Sequence, residues 1–132
     1  MTTKSPGFTL VELLVVVAIL GILASIGTLS YSGYVKGAKK KSAENAMQQI
    51  GLAQTEEYSN SAEYYTQGDT CDPSEENSQL IEDNILNGAD VITKDSGYEM
   101  CIESNGTSYM VKAASADGKT TITVTGNGVW GE

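Results

Sequence analysis

From Phe8 to Leu29 the chain is almost wholly apolar, and the charge that breaks the run is Glu12. Leu13 to Leu29 carries no charge, and roughly 18–20 apolar residues suffice to span a bilayer. Beyond the run, Tyr31, Tyr34, Val35 and Ala38 follow at spacings of three and four, and Ala43, Ala46, Met47, Ile50 and Ala53 form a second stripe. That periodicity belongs to a helix with one face on a core. No proline falls between Phe8 and Ser59, so the pattern predicts one helix of about fifty residues, roughly 75 Å long. A small domain cannot bury such a helix along its length. Its first half therefore needs lipid or other copies of itself as cover. Glycines at 21, 27, 33 and 37 interrupt it. Each costs about 1 kcal/mol relative to alanine in a helix in water, but small residues permit close helix packing in a membrane.

From Asn60 to Lys94 acids, Gly68, Pro73 and Asn/Ser clusters predict a loop region, with a short helix over Ser78 to Leu86 presenting Leu80, Ile81, Ile85 and Leu86. In the last third, Asn105-Gly106 and Asp117-Gly118 are hairpin signals. With each pair at a turn tip, Ile102 faces Tyr109, Met100 faces Val111 and Tyr98 faces Ala113. Across the second turn Ala113 faces Ile122, Val111 faces Val124 and Tyr109 faces Gly126. The larger apolar side chains then share one face, which predicts a three-stranded antiparallel meander lying on the Met47/Ile50/Ala53 stripe. On the other face Glu99 meets Lys112, a cross-strand pair contributing about 0.2–1 kcal/mol, Lys112 meets Thr123, and Cys101 lies beside Met110. The fold class is α+β, a long N-terminal helix packed on a small C-terminal antiparallel sheet.

Composition narrows the chemistry. The chain of 132 residues has 17 acids, 8 basic residues and no histidine, for a net charge of −9. All its basic residues are lysines, so the bidentate phosphate reader arginine is missing. An acidic head of this kind should repel nucleic acid, whose binding rests on cations neutralising phosphates. Half of the lysines form one cluster, Lys36, Lys39, Lys40 and Lys41, placed to meet anionic head groups or the acids of a neighbouring subunit, or simply to be solvated. The two cysteines, Cys71 and Cys101, lie beyond the apolar segment. On an exported domain they would be oxidised, and a small core gains from such a staple. Two free buried thiols, the alternative, suit a cytosolic domain better.

The junction Gly7-Phe8-Thr9-Leu10-Val11-Glu12, followed by the uninterrupted apolar helix, resembles the class III signal of type IV pilins and type II secretion pseudopilins. The resemblance covers about the first quarter of the chain. It implies a leader over residues 1–7, a transmembrane and filament-core helix over 8–30, and a globular head over 31–132 that includes the amphipathic half of the helix. It also implies that a prepilin peptidase cuts between Gly7 and Phe8, that Phe8 is N-methylated, and that Glu12 is the assembly acid. The implied partners are identical subunits in a helical filament, the peptidase, the inner-membrane assembly machinery and the membrane itself. The implied location is the bacterial inner membrane, head outside the cytoplasm, and then the cell-surface pilus. Pilins often weaken this helix with a proline; Gly21 and Gly27 are the substitutes here. An ordinary secretory signal has a shorter apolar run and a small-residue cut after it, and neither it nor a plain single-pass anchor accounts for Glu12. The lysine count alone, Lys4 before the run and four lysines after it, points the other way and would keep the head inside the cell.

The remaining signals add no enzyme chemistry, and no cofactor or metal is expected. Asp83, Asn87, Gly88 and Asp90 outline a calcium loop, but Ile85 stands at a ligand position and Lys94 where the bidentate acid belongs. Asn105-Gly106-Thr107 matches a glycosylation acceptor and is accounted for as a turn. The tyrosines at 31, 34, 58, 64, 65, 98 and 109 read as packing and interface residues.

Overall fold

The computed structural model describes residues 7–93 and 96–132. The leader ahead of Gly7, with Lys4, and the template position Lys94 lie outside the described residues. By compactness the chain divides into the units Met1–Gly37 and Ala38–Glu132. Helix α1 runs over Leu10–Ser61, helix α2 over Glu75–Asn84, and strands β1 to β4 over Tyr98–Asn105, Ser108–Ser115, Thr121–Thr125 and Trp130–Gly131. The strands form one antiparallel sheet in the order β1-β2-β3-β4.

In the unit Ala38–Glu132 the predicted stripe is the seam. Ala43, Ala46, Met47 and Ile50 are buried, and they share a core cluster with Ile102, Val111, Ala113, Ile122 and Val124 of the sheet. Burying a side chain of the size of Met47 or Ile50 contributes about 1.5–3 kcal/mol. Ala53, at the end of the stripe, is half-buried. Helix α2 adds Ile81, fully buried, while Leu80 stays largely exposed. This helix starts earlier than the apolar pattern predicts, because the Ser74 hydroxyl caps it by accepting the Asn77 N–H at 3.1 Å.

The second hairpin has the predicted register, with Ala113 opposite Ile122, Val111 opposite Val124 and Lys112 opposite Thr123. Gly126 donates its N–H to the Tyr109 carbonyl at 2.9 Å. It must be glycine: a Cβ there would stand 2.2 Å from Ser108 Oγ and 3.1 Å from the Tyr109 ring.

The first hairpin is shifted by two residues. Ile102 faces Val111, Met100 faces Ala113, Tyr98 faces Ser115 and Cys101 faces Lys112. The turn is Gly106-Thr107 rather than Asn105-Gly106, and Asn105 joins the ladder opposite Ser108. An Asn-Gly type I′ turn needs positive φ at both residues, whereas type II′ asks only for glycine at the first central position. Gly106 has φ +67, and neither Asn105 nor Thr107 is in that region. A shift of two leaves every side chain on its predicted face. It does replace the Glu99–Lys112 pair, since Glu99 now faces Ala114.

The sheet also gains β4, which the sequence pattern does not predict. It folds back on β3 through Gly126, Asn127 and Gly128, with Val124 opposite Trp130.

The loop between the helices closes the free edge of β1. Gln67 donates its backbone N–H to the Ile102 carbonyl at 2.7 Å and accepts the Ile102 N–H on its side-chain oxygen at 3.0 Å. Ser104 N–H reaches the Gly68 carbonyl at 2.8 Å, and Met100 N–H reaches the Ser78 hydroxyl at 2.8 Å. An open strand edge is a template for pairing with another chain, and these contacts remove it. Farther up, the buried Gln54 of α1 grips the backbone of Tyr65, donating to its carbonyl at 2.6 Å and accepting its N–H at 2.8 Å. Cys71 and Cys101 form a disulfide with Cα atoms 6.2 Å apart. Cys101 points away from the helix-covered face, yet it is fully buried because the cross-linked loop covers it. Lys112 pairs there with Glu103 at 2.9 Å. The two bracket the disulfide backbone: Glu103 accepts the Cys71 N–H at 3.3 Å, and Lys112 donates to the Cys71 carbonyl at 3.4 Å.

Candidate processing and assembly site

The chain enters α1 through two exposed residues outside regular structure, Gly7 and Phe8, and the Phe8 side chain is 87% exposed. Thr9 caps the helix. Its hydroxyl accepts the Glu12 N–H at 3.2 Å, and the Glu12 carboxylate accepts the Thr9 N–H at 3.2 Å. This reciprocal pair is a capping box, which satisfies two N–H groups that a helix start otherwise leaves without partners. It also sets an anionic group at the positive end of the helix dipole. The pattern Thr-x-x-Glu before an apolar run is a sequence signal for this box, and the expectations above assign no role to Thr9.

Past Glu12 the large apolar side chains from Leu13 to Leu29 are exposed in the isolated chain, and this part of α1 is long and apolar enough to cross a membrane. Its hydroxyls satisfy themselves: Ser25 donates to the Ile22 carbonyl at 2.8 Å and Thr28 to the Ser25 carbonyl at 3.0 Å. Such back-bonding spares an apolar surrounding an unpaired polar group. The helix continues without interruption through Gly21 and Gly27, and a Cβ on either would meet nothing within 4 Å.

Phe8 and Glu12 thus lie together at the helix start. Cys71 and Cys101 lie in the other unit, on the sheet face away from α1. Three lysines of the cluster have separate contacts. Lys40 pairs with Glu132, Lys41 pairs with Glu44 at 3.2 Å, and the Lys39 stem lies over Gly97, 3.0 Å from where a Cβ would stand. The hydrogen bond and the attraction between Lys40 and Glu132 raise the amine's pKa and lower the carboxyl's. Tyr58 stacks on Tyr64 at a ring separation of 4.7 Å, and Tyr64 meets Tyr109 at 4.9 Å. Burial, followed by the neighbouring Tyr64, raises the Tyr109 phenol.

Residues 3–28 match the model of the prokaryotic N-terminal methylation motif. The chain is 39% identical over 64 residues to proteins named fimbrial protein from two Neisseria meningitidis strains, of serogroups A and B; the stretch covers 48% of this chain and 38% of theirs. It is 32% identical over 95 residues to a probable minor fimbrial protein of Dichelobacter nodosus, covering 71% of this chain and 60% of that one. The chain therefore matches well under two thirds of the Neisseria relatives' length. No solved structure gives a significant match. With the methylation motif at its start, fimbrial relatives over part of its length, and a long helix packed on an antiparallel sheet, the chain resembles type IV pilins in motif and in architecture.

Proposed function

We propose that this chain is a structural subunit of a type IV pilus, made as a precursor with the leader 1–7 and cut between Gly7 and Phe8. The segment 8–30 anchors the processed subunit in the inner membrane and later bundles at the filament core. The head 31–132 faces outward and carries surface interactions such as adhesion or motility. Prepilin peptidase and an inner-membrane assembly machinery are its processing partners, and copies of itself are its assembly partners. The observation that carries this reading is Glu12, an acid at the start of an apolar helix whose side chains the isolated chain leaves exposed. A carboxylate in lipid costs about 2.5–3.5 kcal/mol at the bilayer centre, and the N-terminal amine of Phe8 on an adjacent subunit is the cation that offsets it. Such a contact is heterologous and does not close, so it propagates as a fibre. Gly21 and Gly27 give the helix the freedom to adjust its packing in that fibre.

The test is the intact mass of subunits in sheared surface filaments, beside the filament yield of Glu12→Ala. A mature chain beginning at N-methylated Phe8 is expected. Leaving one charge of a buried pair uncompensated costs about 3–5 kcal/mol, so Glu12→Ala should insert and be cut normally but assemble poorly. A mature chain retaining Met1–Gly7, or normal filaments from the alanine variant, would overturn the reading. The Dichelobacter relative's name favours a second one, a minor subunit present at few copies per filament. Quantifying this chain against the other subunits of the same sheared fraction separates the two.

A further inference from the structure

We propose that Asn105 is a self-modification site, where the backbone nitrogen of Gly106 displaces the side-chain amide and leaves aspartate and isoaspartate at the tip of the β1–β2 hairpin. The chemistry needs only water. The Gly106 nitrogen gives up its proton and attacks the Asn105 side-chain carbonyl carbon, and the amide nitrogen leaves as ammonia. Water then opens the five-membered imide at either carbonyl. One opening gives aspartate; the other runs the backbone through the side chain as isoaspartate. Glycine in second place favours the closure, because no side chain crowds its nitrogen. The pair occurs three times, as Asn87-Gly88, Asn105-Gly106 and Asn127-Gly128. The structure tells them apart. Gly88 donates its N–H to the Glu82 carbonyl at 2.8 Å, and Gly128 donates its N–H to the Thr125 carbonyl at 2.9 Å. A nitrogen engaged as a donor resists losing its proton. The Gly106 N–H and the Asn105 side chain make no hydrogen bond among the described residues. Both residues are exposed, and a Cβ on Gly106 would meet nothing within 4 Å, so the ring and the incoming water have room. Closure requires the Asn105–Gly106 peptide to rotate out of the ladder. The loop that seals the β1 edge reaches Ser104 through the Gly68 carbonyl and leaves Asn105 to its ladder partner Ser108. Frayed ends of this kind open at far lower cost than the core. Each conversion adds a negative charge to a chain already at −9. The isoaspartate form also inserts a methylene into the strand backbone opposite Ser108.

The test does not depend on how the chain is processed or assembled. The full-length chain, purified in detergent, is incubated in mildly alkaline buffer made with heavy-oxygen water. A parallel sample is unfolded in urea with its disulfide reduced. Peptide mapping reads the heavy oxygen gained at each Asn-Gly pair, and fragmentation separates aspartate from isoaspartate. In the folded chain Asn105 should convert at least about fivefold faster than Asn87 or Asn127, the factor that one hydrogen bond of ordinary strength represents. Both products should be found there. In the unfolded chain the hydrogen bonds at Gly88 and Gly128 are gone, and the three rates should converge. Asn105→Gln, whose longer side chain would have to close a less favourable six-membered ring, should carry no label at that position while the other two pairs keep their slow rates. Equal rates at the three pairs in the folded chain, a faster Asn87 or Asn127, or an unlabelled Asn105 would overturn the assignment. So would a lead for Asn105 that persists unchanged on unfolding, since the neighbouring sequence rather than the fold would then set it.

Discussion

Removing the Cys71–Cys101 cross-link should weaken the head through its unfolded state. The bond joins residues 30 apart in sequence. In the chain-entropy model a closed loop of that size contributes about 3.5 kcal/mol. The native loop has other attachments that no reductant touches. Glu103 and Lys112 hold the Cys71 backbone, Gln67 pairs with Ile102, and Gln54 grips Tyr65. The folded state should therefore persist on reduction, while the freed unfolded chain gains entropy. A domain is stable by about 5–15 kcal/mol in all, so the loss is a large fraction of the total. In urea, with an m-value of about 1.5 kcal/mol per molar, the midpoint should fall by about 2 M. Melting should fall by roughly 14–28 °C, at about 4–8 °C per kcal/mol for a domain of this size. The assay is urea unfolding of a head fragment starting at Ala38, oxidised and reduced, followed by tyrosine and tryptophan fluorescence. The double variant Cys71→Ala/Cys101→Ala should lose roughly 1 kcal/mol more, because the fully buried Cys101 sulfur leaves a small void. A reduced head whose midpoint moves by less than about 0.5 M would refute the loop-closure account.

Gln54→Ala should destabilise the head by about 2 kcal/mol, since it leaves the Tyr65 N–H and carbonyl without their partners; urea unfolding measures the loss, and hydrogen exchange should show the Tyr65 amide unprotected. The Glu132 carboxyl should titrate below the ordinary carboxylate range and return to it in Lys40→Ala, as followed by carbon NMR. A lowered folded-state value means that the pair's contribution is present above the carboxylate's unfolded value and is lost as pH falls through the folded one. A head fragment starting near Ala43 should leave DNA unshifted in a gel at physiological salt, because its acids greatly outnumber Lys94, Lys112 and Lys119 and it has no arginine to neutralise phosphates.

The long helix, its two kinds of face and the sheet's inner face were legible in the sequence, because each follows from a local period. Spacings of three and four put Ala43, Ala46, Met47 and Ile50 on one side of α1, and alternation put Ile102, Val111 and Val124 on one side of the sheet. The capping box was legible too, as Thr9-Leu10-Val11-Glu12, although its significance depended on seeing both hydrogen bonds close. Periodicity does not set register in steps of two. Asn105-Gly106 and Gly106-Thr107 tips give the same faces, and the choice fell to the backbone φ at Asn105 together with the loop pairing along β1. Strand β4 is too short and too rich in flanking glycine to show a period, and it exists because β3 has an edge to offer. Gln54, Gln67 and Glu103 look like surface residues in a one-dimensional reading. They are built into the fold because a polar loop crosses a covered sheet edge there, and its backbone groups require partners from residues 11 to 35 positions away. Local pattern determined which elements form and which way they face; the tertiary structure decided how they slide, what seals their edges and which polar side chains that sealing buries.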